Sequence, residues 1–182
     1  MYPALPIPKF LFLLLAAVAF GASNAASAKG VDEEATAALK TLYAQDAGAK
    51  ALGEKAKAVL VFPSVFKAAL IVGGQGGKGV MFQDGKIIGH YNIGGVALGL
   101  AGGAQNYSYA LFLMSDKAME RLQTLEGYEL GVDPNIVVLN AAAGANLSTT
   151  TGQRDVYGYV YNASGLMGGV SLQGLKITKL SK

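Results

Sequence analysis

The chain of 182 residues has no cysteine, a single histidine (His90) and only two arginines (Arg121, Arg154). Without thiols there is no redox couple and no thiolate metal site, whereas export needs no disulfide, so the compartment stays open. A lone imidazole lacks the second imidazole or cysteine that would complete a metal site, and it reads instead as a strand residue hydrogen-bonded near a hairpin. Two isolated arginines give no basic stretch for nucleic acid. The chain also lacks an apolar run long enough to span a bilayer, which takes about 20 residues; the stretch from Phe10 to Phe20 is shorter.

That stretch follows Lys9, the only charge before a close of small residues, and has the form of a bacterial secretory leader. The expected leader is residues 1–25, with cleavage after Ala25 or Ala28, and export to the periplasm or beyond. With no cysteine at the junction, contact with a membrane would be non-covalent. Removing Lys9 leaves 14 basic residues against 12 acidic ones, a net charge of +2, too weak a field to select a partner. The remainder, residues 31–182, is long enough for one domain with its own core.

Residues Asp32 to about Lys57 are alanine-rich and helical in pattern. Asp32 is the expected N-cap, Glu33 and Glu34 lie in the first turn, Leu39, Leu42 and Tyr43 share one face, and Gly48 and Gly53 are the expected breaks. Lys50 and Lys57, seven apart, fall on one face of such a helix. After Pro63 the pattern turns to strands. Asp84-Gly85 between MFQ and KII predicts a two-residue hairpin. Tyr107 and Tyr109, then Tyr157, Tyr159 and Tyr161, alternate as strands with an aromatic face. Ser115 caps an inserted helix over Asp116 to Leu125, and a last strand runs from Gly169 to Leu180. Twelve of the 25 glycines fall between Gly73 and Gly103, where they imply bulges and strong curvature. The expected fold is α+β: a curved, largely antiparallel sheet or partly closed barrel, with an N-terminal helix and one inserted helix.

Catalytic motifs fail on context. Gly74 to Gly79 has G-x-G-x-x-G spacing, but a strand follows where a dinucleotide fingerprint needs a helix, and Lys78 is followed by glycine rather than the serine or threonine of a P-loop. Around Ser171 the glycine spacing is one residue too long for a nucleophile elbow. Asp84, Asp133 and Asp155 sit in turns, where a carboxylate satisfies backbone donors. Asn106, Asn146 and Asn162 begin N-x-S triplets that carry weight only in a glycosylating host. An outer-membrane barrel is disfavoured by uneven strands and intervening helices. No catalytic residue, cofactor or metal is expected, and no enzyme.

Several separated blocks, in order, carry a resemblance: the strand AVLVFPSVFKAALIV, then GGQGGKG, IGGVALGLAGGAQ, ALFLMSDKAMERL, NAAAGAN and GLMGGVSLQG. Together they resemble the SYLF family across almost the whole of residues 31–182. The resemblance implies a non-enzymatic lipid-binding module that recognises anionic, phosphoinositide-like surfaces through basic residues and an N-terminal amphipathic segment; in some eukaryotic relatives it implies actin binding. Generic anionic lipid is what transfers to an exported protein. The positions that would take the basic role are Lys50, Lys55 and Lys57 on the helix, with Lys67 and Lys78 flanking the first glycine-rich turn. The alternative is an envelope structural or interaction protein that binds a protein or polysaccharide partner.

Overall fold

The computed structural model describes residues 29–70, 72–98, 103–123, 127–130, 136–140, 154–165 and 174–181. The leader and its cleavage positions, Asp133, Asn146, Ser171, Leu125, most of NAAAGAN and most of GLMGGVSLQG lie outside them. Helix α1 covers residues 29–45 and α2 covers Ala47–Lys55. Strands β1 (Ala58–Ala69), β2 (Val72–Gln83) and β3 (Lys86–Leu98) follow as an antiparallel meander, and β4 (Gly103–Leu113) returns to pair with the free side of β1. Then come α3 (Asp116–Gln123), β5 (Tyr128–Leu130), β6 (Ile136–Asn140), β7 (Val156–Gly165) and β8 (Leu175–Lys179). The eight strands form one sheet, ordered β5-β8-β3-β2-β1-β4-β7-β6, nearly closed into a barrel. All pairings are antiparallel except β6 with β7. This is the α+β architecture the glycine and tyrosine patterns imply.

The central strand β1 decides which side chains enter the barrel. Its register slips between Val61 and Ser64 against β2, and between Phe62 and Val65 against β4, so Pro63 sits in a bulge. Proline has no N–H for the ladder, and a bulge is where a central strand tolerates it. The Pro63 carbonyl, freed from the ladder, accepts the Ser108 hydroxyl at 2.7 Å. Because side chains alternate with period two, the extra residue inverts the alternation. Ala58, Leu60 and Phe62 face inward before it, and Val65, Lys67 and Ala69 are buried after it, while Phe66 is turned out.

Inside, Leu60, Phe62, Met81, Tyr91, Tyr109, Leu111 and Ile177 form the main core, and α3 adds Ala118, Met119 and Leu122 at the end where β4 stops. Outside, Val59, Val61, Phe82, Phe112, Tyr157 and Tyr159 are covered by Ala35 and Leu42 of α1 and by Ala49 and Leu52 of α2. The two tyrosine runs therefore serve opposite faces: Tyr107 and Tyr109 pack inside, and the β7 tyrosines pack beneath the helices.

Two helix expectations need correction. The expected single N-terminal helix is two, and the break is at Asp46 rather than at a glycine: the Asp46 carboxylate takes the Ala49 N–H at 2.9 Å as the N-cap of α2, with Gly48 and Gly53 inside that helix. Asp32 is not a cap either, since residues 29–31 before it are already helical; its carboxylate meets His90 at 2.7 Å and pins α1 to β3. Elsewhere the local reading holds. Asp84 and Gly85 both take positive φ, 50° and 73°, as a tight hairpin turn requires. Ser115 caps α3 by accepting the Ala118 N–H at 3.2 Å, and its hydroxyl donates to Asp155 at 3.0 Å.

Candidate functional site

The five lysines expected to take the basic role do not gather on one surface. Lys50 and Lys55 are exposed on α2, whose buried Ala49 and Leu52 hold it over the part of the sheet before the bulge. Lys57 is exposed too, but α2 ends at Lys55 and Ala56 is extended, so the helical spacing that pairs Lys50 with Lys57 does not apply. The Lys57 ammonium lies 3.6 Å from the Asp116 carboxylate, both groups well exposed, a contact worth little in water. Lys78 is exposed on the outer face of β2. Lys67 is not at the surface: it is 3 % exposed, because the Pro63 bulge turns it into the barrel. The expectation that Lys67 takes the basic, lipid-facing role beside Lys78 is corrected on that ground.

The same inversion produces a feature that the residue pattern alone does not reveal. Phe66 is 57 % exposed on the outer face, Val96 is 58 % exposed two strands away, and Leu70 and Val72, where β1 turns to β2, are 82 % and 64 % exposed. The ladder rows between Phe66 and Val96 pass through Gly74, Gly76 and Gly94, which carry no side chain to cover them. Large exposed apolar side chains gathered at one end of a sheet mark an interaction surface. The signal that could have located it is Pro63, since a proline inside an apolar strand implies a bulge and hence inverted faces beyond it.

Adjoining this end, on the same outer face, lies an open groove of about 580 Å³ lined by Gly77, Lys78, Asn92, Ile93, Gly94, Lys176 and Thr178. Lys176 shares a ladder row with Phe66 through Gly76 and Gly94, and Lys78 shares the next row with Asn92 and Thr178. Glu129 stands opposite Lys176 in β5 and offsets part of the positive charge. The groove thus offers two ammonium groups, an amide and a hydroxyl beside an apolar rim.

Among the described residues the helices expose no large apolar side chain, and the others exposed, Ile87, Ile88, Val138 and Leu180, lie on or beside strands away from the glycine-rich end. The stripe on α1 faces the sheet, with Leu42 buried and Leu39 and Tyr43 packed against the same cluster. Nor does the interior hold phenols poised for proton transfer near neutrality. Burial pushes Tyr107 up to about 12 and drives Tyr109 higher still; Tyr159 is pushed up to about 12 by burial, with the Asp46 carboxylate adding to it. Among the described residues no group of three or more His, Asp or Glu side chains gathers as metal ligands, and no helix is long and apolar enough to cross a membrane.

Comparison with known proteins agrees with the later sequence blocks, from IGGVALGLAGGAQ onward, and does not reach AVLVFPSVFKAALIV or GGQGGKG. Residues 94–182, from the middle of β3 onward and just under half of the chain, match the model of the Ysc84 family, described as Las17-binding protein actin regulator. Among curated proteins, none matches the chain.

Proposed function

From a chain whose residues 94–182 carry the Ysc84, or SYLF, family pattern, we propose a non-enzymatic module that associates reversibly with anionic membrane surfaces through the glycine-rich end of its barrel. The observation that carries this reading is the gathering of Phe66, Leu70, Val72 and Val96 at that end, with Lys78 and Lys176 on the same face. Apolar side chains of this size each contribute on the order of 1–2 kcal/mol when their exposed part enters the headgroup–acyl boundary. A lysine near an anionic surface adds about 1 kcal/mol before screening. Glu129 cancels part of that gain, so the apolar rim supplies most of the binding and salt weakens it only in part. The surface differs from the α2 lysines, which the family resemblance would single out first.

With an exported leader over residues 1–25, the membrane met would be that of the cell envelope. The family description names a protein partner, Las17, for its members. An envelope protein docking on the same apolar end is the competing reading, and vesicle binding separates the two. Co-sedimentation with neutral and anionic vesicles at low and moderate salt is the test. The purified protein pellets with anionic vesicles; Lys78→Glu with Lys176→Glu weakens pelleting by about tenfold or more, and Glu129→Gln strengthens it. Full retention in the double variant would remove the groove from the site. No pelleting of the parent protein would leave the protein partner as the reading.

A further inference from the structure

On the outer face beyond the Pro63 bulge, one ladder row carries a hydrogen-bonding side chain on each of four neighbouring strands: Ser64 of β1, Lys78 of β2, Asn92 of β3 and Thr178 of β8. Ser64, Lys78 and Asn92 are exposed and Thr178 is half-buried. Strands in a sheet lie about 4.8 Å apart, so the row repeats a polar group at that spacing over about 14 Å. The Ser64 hydroxyl donates to Asn106 Oδ1 of β4 at 2.9 Å and carries the row one strand further. The adjacent row is unlike it: Phe66 stands at one end, Lys176 opposite Glu129 at the other, and Gly76 and Gly94 lie between. The polar row is a wall of the open groove, and Gly94 belongs to its floor.

Packing does not require glycine at position 94. A Cβ there would meet nothing closer than the Gln75 carbonyl at 3.8 Å, an ordinary contact, and Gly94 does not take a positive φ. At Gly77 and Gly95, by contrast, a Cβ would run into the Ser64 and Gly174 carbonyls. Glycine inside a strand weakens it, and one that the fold does not demand marks a place where something comes close to the backbone.

Three conditions narrow what that is. The main chain of β2 and β3 is already paired on both sides here, so the occupant is not a strand added through its backbone. Asn92, Thr178 and Ser64 offer donors and acceptors at short repeats, which an acyl chain does not answer. The bare floor at Gly94 and the exposed Phe66 ring call for a flat apolar face. A chain of sugar rings meets all three, with hydroxyls at its edges and C–H groups on its faces. Lys78 and Lys176, partly offset by Glu129, add a small positive excess that suits a carboxylate on the sugar.

We infer that the groove binds an acidic polysaccharide, a chain of uronate-type sugars lying across β1, β2, β3 and β8 with Ser64, Asn92 and Thr178 reading its hydroxyls. The inference does not rest on membrane association, since Leu70 and Val72, the most exposed apolar side chains of that end, lie where β1 turns to β2 and outside the polar row.

The test is calorimetric titration of the purified protein with oligogalacturonate, and separately with oligoglutamate of equal charge at the same ionic strength, which carries carboxylates without sugar hydroxyls. The parent protein binds oligogalacturonate at least tenfold more tightly than oligoglutamate. Asn92→Leu, which changes no charge, weakens oligogalacturonate binding about tenfold. Gly94→Val fills the floor and abolishes binding, while its midpoint in thermal unfolding is not lowered, a combination that a damaged fold would not give. Leu70→Ser with Val72→Ser loses vesicle pelleting and keeps the oligogalacturonate affinity, so failure of the membrane reading and failure of this one are told apart. Equal binding of the two polymers would assign the groove to charge alone and overturn the inference. Absence of binding, or unchanged binding in Gly94→Val, would overturn it as well.

Discussion

At the scale of single residues, Pro63 has the largest effect on the molecule, because one inserted residue exchanges the faces of everything that follows it in β1. Lys67 goes in and Phe66 goes out, the reverse of what burial preferences alone would choose. Violations of this kind concentrate at functional positions. Glycine does different work at Gly79: a Cβ there would run into the Phe62 ring and lie 2.7 Å from the Val61 carbonyl. Gly79→Ala is therefore expected to cost about 1–3 kcal/mol, read as a lower denaturant midpoint with unchanged slope. The buried tyrosines give a pH signature. Tyr107 is raised from 10.0 to about 12 by desolvation, and Tyr43, Tyr91, Tyr109 and Tyr161 move in the same direction for the same reason first. The folded state then holds these protons more tightly than the unfolded state. The stability they contribute is complete below pH 10 and is lost as pH rises through about 12. Tyrosinate absorbance should appear together with loss of the folded state across that window, and gradual ionisation without unfolding would count against the packing described.

At the scale of elements, features governed by neighbours in sequence were legible. The Asp84-Gly85 turn needs positive φ at both positions, and Asp and Gly accept it; Ser115 lies where its hydroxyl reaches the first free N–H of α3. The N-terminal helices were read less well, because two glycines looked like stronger breaks than an aspartate. Asp46 prevails because it satisfies a backbone donor that the glycines cannot. Asp46→Ala should destabilise the protein by about 1 kcal/mol, whereas Asp46→Asn, which caps equally well, should be nearly neutral in the same thermal unfolding experiment. The short strands β5 and β6 escaped the sequence reading. Three and five residues carry too little alternation, and the parallel pairing of β6 with β7 depends on contacts distant in sequence.

At the scale of the whole molecule, the barrel has two unlike ends. One is packed with α3 and overlaid by α1 and α2; the other is glycine-rich, apolar outside and polar within. The fold class was legible because glycine density, tyrosine alternation and the hairpin turn all pointed to a curved sheet. The candidate site was legible only in part: Lys78 lies on the outer face as a basic residue should, but Lys176, Phe66 and Val96 join it through ladder rows that only the register reveals. The central claim, that the glycine-rich end meets the membrane, can be read directly because the chain contains no tryptophan. A single reporter is introduced by Val72→Trp at that end or by Ala51→Trp on α2, and its emission is followed as anionic vesicles carrying a quencher in their acyl chains are added. Blue-shifted, quenched emission for the Val72→Trp protein, with none for Ala51→Trp, is the predicted result. Quenching on α2 alone, or at neither position while the protein pellets with vesicles, would contradict it.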